Sequence, residues 1–291
     1  WTLNQYKTWG IEAKNEKWGE WRGWDRGTTH IDMVEPWVRT LAGTQLSWSP
    51  ASPEGGLTAE VIVLPDLADS VAFQKWLPSV KGKYVMISAP QLTGRPDDNW
   101  EKWGTEESFE AIKEKRAALE KAWLERTQKT GKNRTSLPIA LENAGAVGVV
   151  TSYWSRALGA NKIFSASTRQ VPTIDLSIED YGMLFRLVES GKKPKIHVNA
   201  QSKETGLQPT FNTIAEIKGT EKPEEYVMLS AHLDSWQGGT GATDNGSGTI
   251  LMMEVMRILK KVYPNPKRTI LVGHWGSEEQ GLNGSRAFVE D

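Results

Sequence analysis

The feature that most constrains this chain is the order strand, helix, strand near its C-terminal end. A β-rich run at 226–231 is followed by a helix-period segment at 247–262, carrying Ile250, Leu251, Met253, Val255, Ile258 and Leu259 and stopping before Pro264 and Pro266. Residues 268–275 are then a largely apolar run of the kind that fills the centre of a parallel sheet. Strand, crossover helix and strand fold as a right-handed βαβ unit, which commits this region to an α/β architecture. Ligands of such sheets bind beyond the carboxyl ends of the parallel strands. The residues just after 231 and 275 are therefore where chemistry is expected.

Those positions hold Ala231-His232-Leu233-Asp234 and Ser277-Glu278-Glu279-Gln280-Gly281-Leu282, and Thr243-Asp244-Asn245-Gly246-Ser247-Gly248 opens the crossover helix. His232 and Asp234 lie two apart at a strand end and so share a face. Gly238, Gly239, Gly241, Gly246 and Gly248 let the backbone approach closely around Asp244. Neutral imidazole and carboxylates suit zinc, and one carboxylate can bridge two cations. Two adjacent acids in a loop point in different directions, so one can bind metal while the other takes the proton of metal-activated water. A His-x-Asp triplet alone means little, since His30-Ile31-Asp32 repeats it. Order, spacing and strand placement together give the combination its specificity.

Composition narrows the options further. With no cysteine, only His, Asp and Glu remain to hold a metal. A net charge of −1 supplies no field for nucleic acid, and no run of 18 apolar residues is present to span a membrane. Several of the tryptophans crowd the opening stretch among charged residues, where packing of amphipathic indoles onto a core is the expected role.

Along the rest of the chain, residues 1–46 read as helices, with Ile31, Val34, Val38 and Leu41 at helical spacing, and Pro50, Pro53, Gly55 and Gly56 break the pattern at 49–56. Short β-rich runs follow at 57–64, 84–88, 146–152, 171–176 and 196–200. Between the second and third, Phe109, Ile112, Leu119 and Trp123 predict an amphipathic helix over 105–129, with Arg116 in the gap of its apolar stripe. Ser177 can cap a helix with Asp180 at the capping-box position. The polar stretch 201–209 reads as a second break before β character resumes at 211–218. His274 is expected to be a core histidine, and His30 and His197 structural or exposed.

From about residue 210 onward the chain resembles the co-catalytic zinc aminopeptidase and carboxypeptidase family. The middle, with Leu141-Glu142-Asn143-Ala144-Gly145-Ala146-Val147-Gly148-Val149-Val150, resembles the protease-associated domain often inserted in those enzymes. The order of helical segment, insert and metal motifs is most similar to the plasma glutamate carboxypeptidase branch. The resemblance implies an α/β fold: a zinc-exopeptidase α/β/α sandwich, incomplete at its C-terminus, with an inserted β-rich protease-associated domain. Residues 1–48 would be the N-terminal helical part of the peptidase domain and 49–209 the insert, with a helical insertion near 105–130. Residues 210–291 would be the first half of the peptidase domain.

It also implies roles for the motif residues. His232 would bind one zinc, Asp244 would bridge two, and Glu279 would bind the second, while Glu278 acts as general base and Asp234 supports the His-x-Asp motif. The Asp244–Asn245 peptide is usually cis in the family. The implied function is a zinc-dependent exopeptidase, secreted or periplasmic, that cleaves peptide substrates as an aminopeptidase or a dipeptide-cleaving carboxypeptidase. A further Asp and a final His ligand of the family have no match before Asp291, so this chain alone is expected to be inactive. Its sheet edge is expected to drive self-association or to pair with a complementing C-terminal polypeptide. The alternatives are a non-catalytic binding protein on a peptidase scaffold and one half of a split enzyme.

Overall fold

The computed structural model describes residues 1–290. In chain order the elements begin with α1 (Thr2–Thr8), β1 (Glu12–Glu35), β2 (Arg39–Thr40), β3 (Gly43–Gln45), β4 (Leu57–Val63), α2 (Ser70–Trp76) and β5 (Tyr84–Met86). They continue with α3 (Asp97–Trp103), α4 (Glu106–Lys129), α5 (Ser136–Asn143), β6 (Gly148–Thr151), β7 (Thr173–Leu176) and α6 (Ile178–Glu189). The last are β8 (Lys195–Ile217), β9 (Lys222–His232), α7 (Gly248–Val262), β10 (Arg268–Trp275) and α8 (Asn283–Glu290). Two units emerge, one of Trp24–Glu204 and one of Trp1–Gly23 with the chain from Thr205 on.

In the middle unit β4, β5, β6 and β7 run parallel in that order, and β3 closes one side antiparallel to β7. On the other side β4 pairs antiparallel with the start of β8, Leu57 opposite Val198. β5, β6 and β7 are buried along their whole length, as central parallel strands must be. Helices cover both faces. Trp123 of α4 and Tyr181 and Leu184 of α6 pack with Val61, Met86 and Val150, while Phe73 of α2 and Leu137 and Leu141 of α5 pack with Val85 and Val149. The gap in the stripe of α4 is filled by charge: Arg116, 3% exposed, pairs with Asp97 and donates to the Arg95 carbonyl at 2.6 Å. The break at 49–56 is pinned within this unit, since the Ser52 N–H donates to the Ala200 carbonyl at 2.7 Å.

Two expectations are overturned. Only α1 is helical within 1–46; residues 31–35 end the long strand β1. Ile31 and Met33 are buried while Asp32 and Val34 are partly exposed, a period of two, and the residue before Pro36 is held extended. The polar stretch 201–209 is likewise no break, for β8 runs straight through it. Backbone pairing rather than apolar burial makes it a strand: β1 lies beside β8, and a Cβ on Gly27 would sit 2.7 Å from the Gln201 carbonyl oxygen.

The unit that carries the acidic motifs is the expected βαβ arrangement. β9 and β10 are parallel, with Trp275 opposite His232, and α7 crosses between them. The end of β8 pairs antiparallel with the other side of β10, His274 opposite Thr213. Met253 and Met256 of α7 join Tyr6, Ile11, Ala215, Ile217, Ile270 and Val272 in one core. Lys260 and Lys261 complement the dipole at the C-terminal end of α7.

Candidate metal centre

β9 delivers His232 to the carboxyl edge of the sheet, and the hydroxyl of Thr249, in the first turn of α7, holds its carbonyl at 2.9 Å. The imidazole Nδ1 lies 3.0 Å from the Asp234 carbonyl oxygen and Nε2 3.0 Å from Asp244 Oδ1. Both ring nitrogens thus face acceptors, and a neutral imidazole has one N–H to offer. With Nδ1–H given to the carbonyl, the Nε2 lone pair and the Asp244 oxygen are compatible only with a proton or a cation between them. Glu279 completes the set: one ligand atom each from His232, Asp244 and Glu279 lies within 4.8 Å of the others. One imidazole nitrogen and two carboxylates are a donor set that zinc accepts.

Glu278 is placed differently. Its Oε2 lies 3.7 Å from His232 Nε2, near the cluster but outside the three-donor group. Asp234 stands behind both acids, its carboxylate accepting the Glu278 N–H at 2.9 Å and the Glu279 N–H at 3.1 Å. It therefore fixes the loop that presents them. Burial raises the Glu279 carboxyl above the ordinary carboxylate range, the Asp244 charge raises it further with smaller help from Glu278 and Asp234, and His232 opposes. The cluster gathers negative charge as a cation site does.

The loop conformations are specific. Ser277, immediately before the acids, and Leu282, after them, occupy the left-handed region at φ 57° and 60° without being glycine. Such geometry persists only where the surroundings impose it. Here the Glu278 carbonyl accepts the N–H groups of Gly281 and Leu282, both at 2.8 Å, and Asn283 N–H reaches the Ser277 carbonyl at 3.1 Å. The turn Ala242–Ser247 carries Asp244, and the Asp244–Asn245 peptide is cis. Asn245 Oδ1 accepts the Gly248 N–H at 3.1 Å, and a Cβ at Gly248 would fall 2.1 Å from that oxygen, so a side chain there would displace the Asn245 amide from this contact.

His232, Asp244 and Glu279 thus meet as the motifs suggested, with Glu278 and Asp234 around them. Reading the motifs missed Asn212 and Thr249, which hold the frame. Asn212 donates to the Gly284 carbonyl at 2.8 Å and accepts the Gly276 N–H at 3.1 Å, closing the base of the acidic loop. His274 is fully buried against Tyr6 and takes no part in the cluster. His30 pairs with Asp32, and His197 with Thr58, both in the middle unit.

Residues 212–291 match the model of Peptidase family M28. Mouse (Mus musculus) carboxypeptidase Q is 29% identical over 273 residues, covering 92% of this chain and 50% of that protein. The chain therefore spans about half the length of the curated relatives it matches. Among solved structures, a peptidase M28 precursor from Shewanella amazonensis superimposes with a TM-score of 0.69 at 23% identity, over 100% of this chain and 60% of that one. A zinc aminopeptidase from Bacillus subtilis does so with a TM-score of 0.57 at 20% identity, over 99% and 57%. The chain shares the α/β fold of these proteins.

Proposed function

We propose, from a C-terminal segment that matches peptidase family M28, that this protein is a zinc-dependent exopeptidase that hydrolyses peptide bonds at chain ends. The observation that carries the reading is the convergence of His232, Asp244 and Glu279 within 4.8 Å at the carboxyl edge of parallel strands, with a separate acid, Glu278, beside them. Zinc bound there would acidify water and polarise a peptide carbonyl. His232, Asp244 and Glu279 would hold the ion. In this reading Asp244, whose side chain is 77% exposed, would be the carboxylate shared with a second zinc. Asp234 keeps Glu278 and Glu279 apart in role by gripping their backbone N–H groups. Glu278 takes up the proton at its carboxylate and delivers it to the leaving amine.

Three protein donors are fewer than two catalytic ions require, so the chain by itself has little or no turnover in this reading. The middle unit would be the protease-associated domain of the resemblance. An extracytoplasmic location belongs to the same proposal. That each family ligand with a matching position in this chain, His232, Asp244 and Glu279, is present favours an enzyme over a binding protein on a relic scaffold.

Zinc content and turnover of aminoacyl and dipeptide substrates, measured on variants of the full-length protein, test the assignment. Glu278→Gln should abolish turnover with zinc retained, because it removes a base and not a ligand. Asp244→Ala should lose zinc as well. Equal zinc loss in the two variants contradicts these roles.

A further inference from the structure

The middle unit has an open cavity of about 640 Å³, and it lies where an α/β sheet puts its ligands. Ile87, Ser88 and Ala89 directly follow β5, and Ser152, Tyr153 and Trp154 directly follow β6, so the floor is the carboxyl edge of two adjacent parallel strands. One wall is α4, whose Trp123 is anchored by its indole N–H to the Ile87 carbonyl at 3.0 Å. The volume suits a small organic molecule.

Its chemistry is one-sided. Aromatic rings of Trp123, Tyr153, Trp154 and Phe164 line it, together with three cations, Lys132, Arg134 and Lys162, and no Asp or Glu. The Arg134 guanidinium sits 4.8 Å from the Tyr153 ring centre and 5.2 Å from that of Phe164, and the Lys162 ammonium 6.0 Å from the latter. Cations already occupy these ring faces, so an added cation is repelled and an added anion attracted. Predominantly apolar walls disfavour a small, strongly hydrated anion, which would give up its water for little contact. A flat apolar body with a single carboxylate satisfies both conditions: its apolar surface packs against the apolar walls, and the guanidinium fork matches the carboxylate.

We infer that the middle unit carries a binding site, separate from the metal cluster, for a small aromatic carboxylate at the carboxyl edge of β5 and β6. It requires neither zinc nor the acidic motifs. The test is calorimetric titration of the whole chain, kept in chelator, with 2-naphthoate and its neutral isostere 2-naphthamide. The naphthoate should bind with Kd below about 1 mM and at least about tenfold more tightly than the amide. The exposed pair Arg134→Gln and Lys162→Gln should weaken it by about tenfold or more, while His232→Ala leaves it unchanged. Should the double variant fold poorly, magnetisation transfer from the naphthoate protons to the indoles of Trp123 and Trp154 in the parent chain replaces it. No binding at millimolar ligand, equal affinity for the amide, loss in His232→Ala, or transfer to residues outside the cavity overturns the inference.

Discussion

Within the core of the unit that carries the acidic motifs, the Tyr6 hydroxyl and His274 Nε2 share a hydrogen bond of 2.7 Å, and both side chains are fully buried. Burial pulls the imidazole down from 6.5 to about 4 and pushes the Tyr6 phenol up. The folded chain therefore holds His274 neutral, whereas the unfolded chain takes up a proton below about 6.5. Between those values the unfolded state binds more protons, so stability is present above pH 6.5 and is lost as pH falls toward 4. The loss over that window is about 3 kcal/mol. Urea denaturation at pH 7 and pH 5 should show about 2 kcal/mol of it, and His274→Leu should flatten the slope. Tyr6→Phe, which leaves Nε2 buried without its hydrogen-bond partner, should cost about 1–3 kcal/mol at pH 7. A slope that survives His274→Leu would mean that other groups set it.

At the scale of elements, the acidic loop depends on how α8 is docked. Asn212, 1% exposed, ties Gly276 to Gly284, and the Gly284 N–H donates to the Gly276 carbonyl at 3.0 Å. A Cβ on Gly284 would lie 2.4 Å from that carbonyl oxygen, which only a backbone shift relieves. Gly284→Ala and Asn212→Ala should each cost about 1–3 kcal/mol and weaken zinc binding, because the shift moves the loop that holds Glu279. Val289→Ala on the exposed side of the same helix should change neither. Zinc titration with a competing chelator reads the difference, and unchanged affinity in both variants would disconnect the dock from the cluster. The acids themselves were legible because each motif directly follows a strand or opens a helix whose period is plain. Asn212 was not, since its partners lie 64 and 72 residues away and no local pattern surrounds it. β1 was misread for a related reason: Ile31, Val34, Val38 and Leu41 mimic a helical stripe, while the pairing that makes residues 12–35 a strand comes from β8, far along the chain.

For the whole molecule, the cores fall on opposite sides of the division between the units. Every member of the two clusters around β4 to β7 lies between residues 24 and 204, and every member of the cluster around β10 lies outside that range. A segment whose apolar residues satisfy one another folds on its own, so residues 24–204 expressed alone should give a monomer with one cooperative unfolding transition. The other unit is less self-sufficient. Among the described residues β9 has β10 as its one strand neighbour, and its Tyr226 and Val227 are 54% and 56% exposed, as are Ile250 and Leu251 of α7 at 52% and 57%. An open edge of this length bearing apolar side chains is a template for another strand. The whole chain should therefore self-associate, or take up a complementing polypeptide, through β9, whereas residues 24–204 should not. Light scattering across a concentration series, on both proteins and on Val227→Lys in the whole chain, separates the outcomes, because a lysine on an edge strand blocks pairing. A whole chain that stays monomeric, or a Val227→Lys variant that associates as strongly as its parent, would remove β9 as the interface.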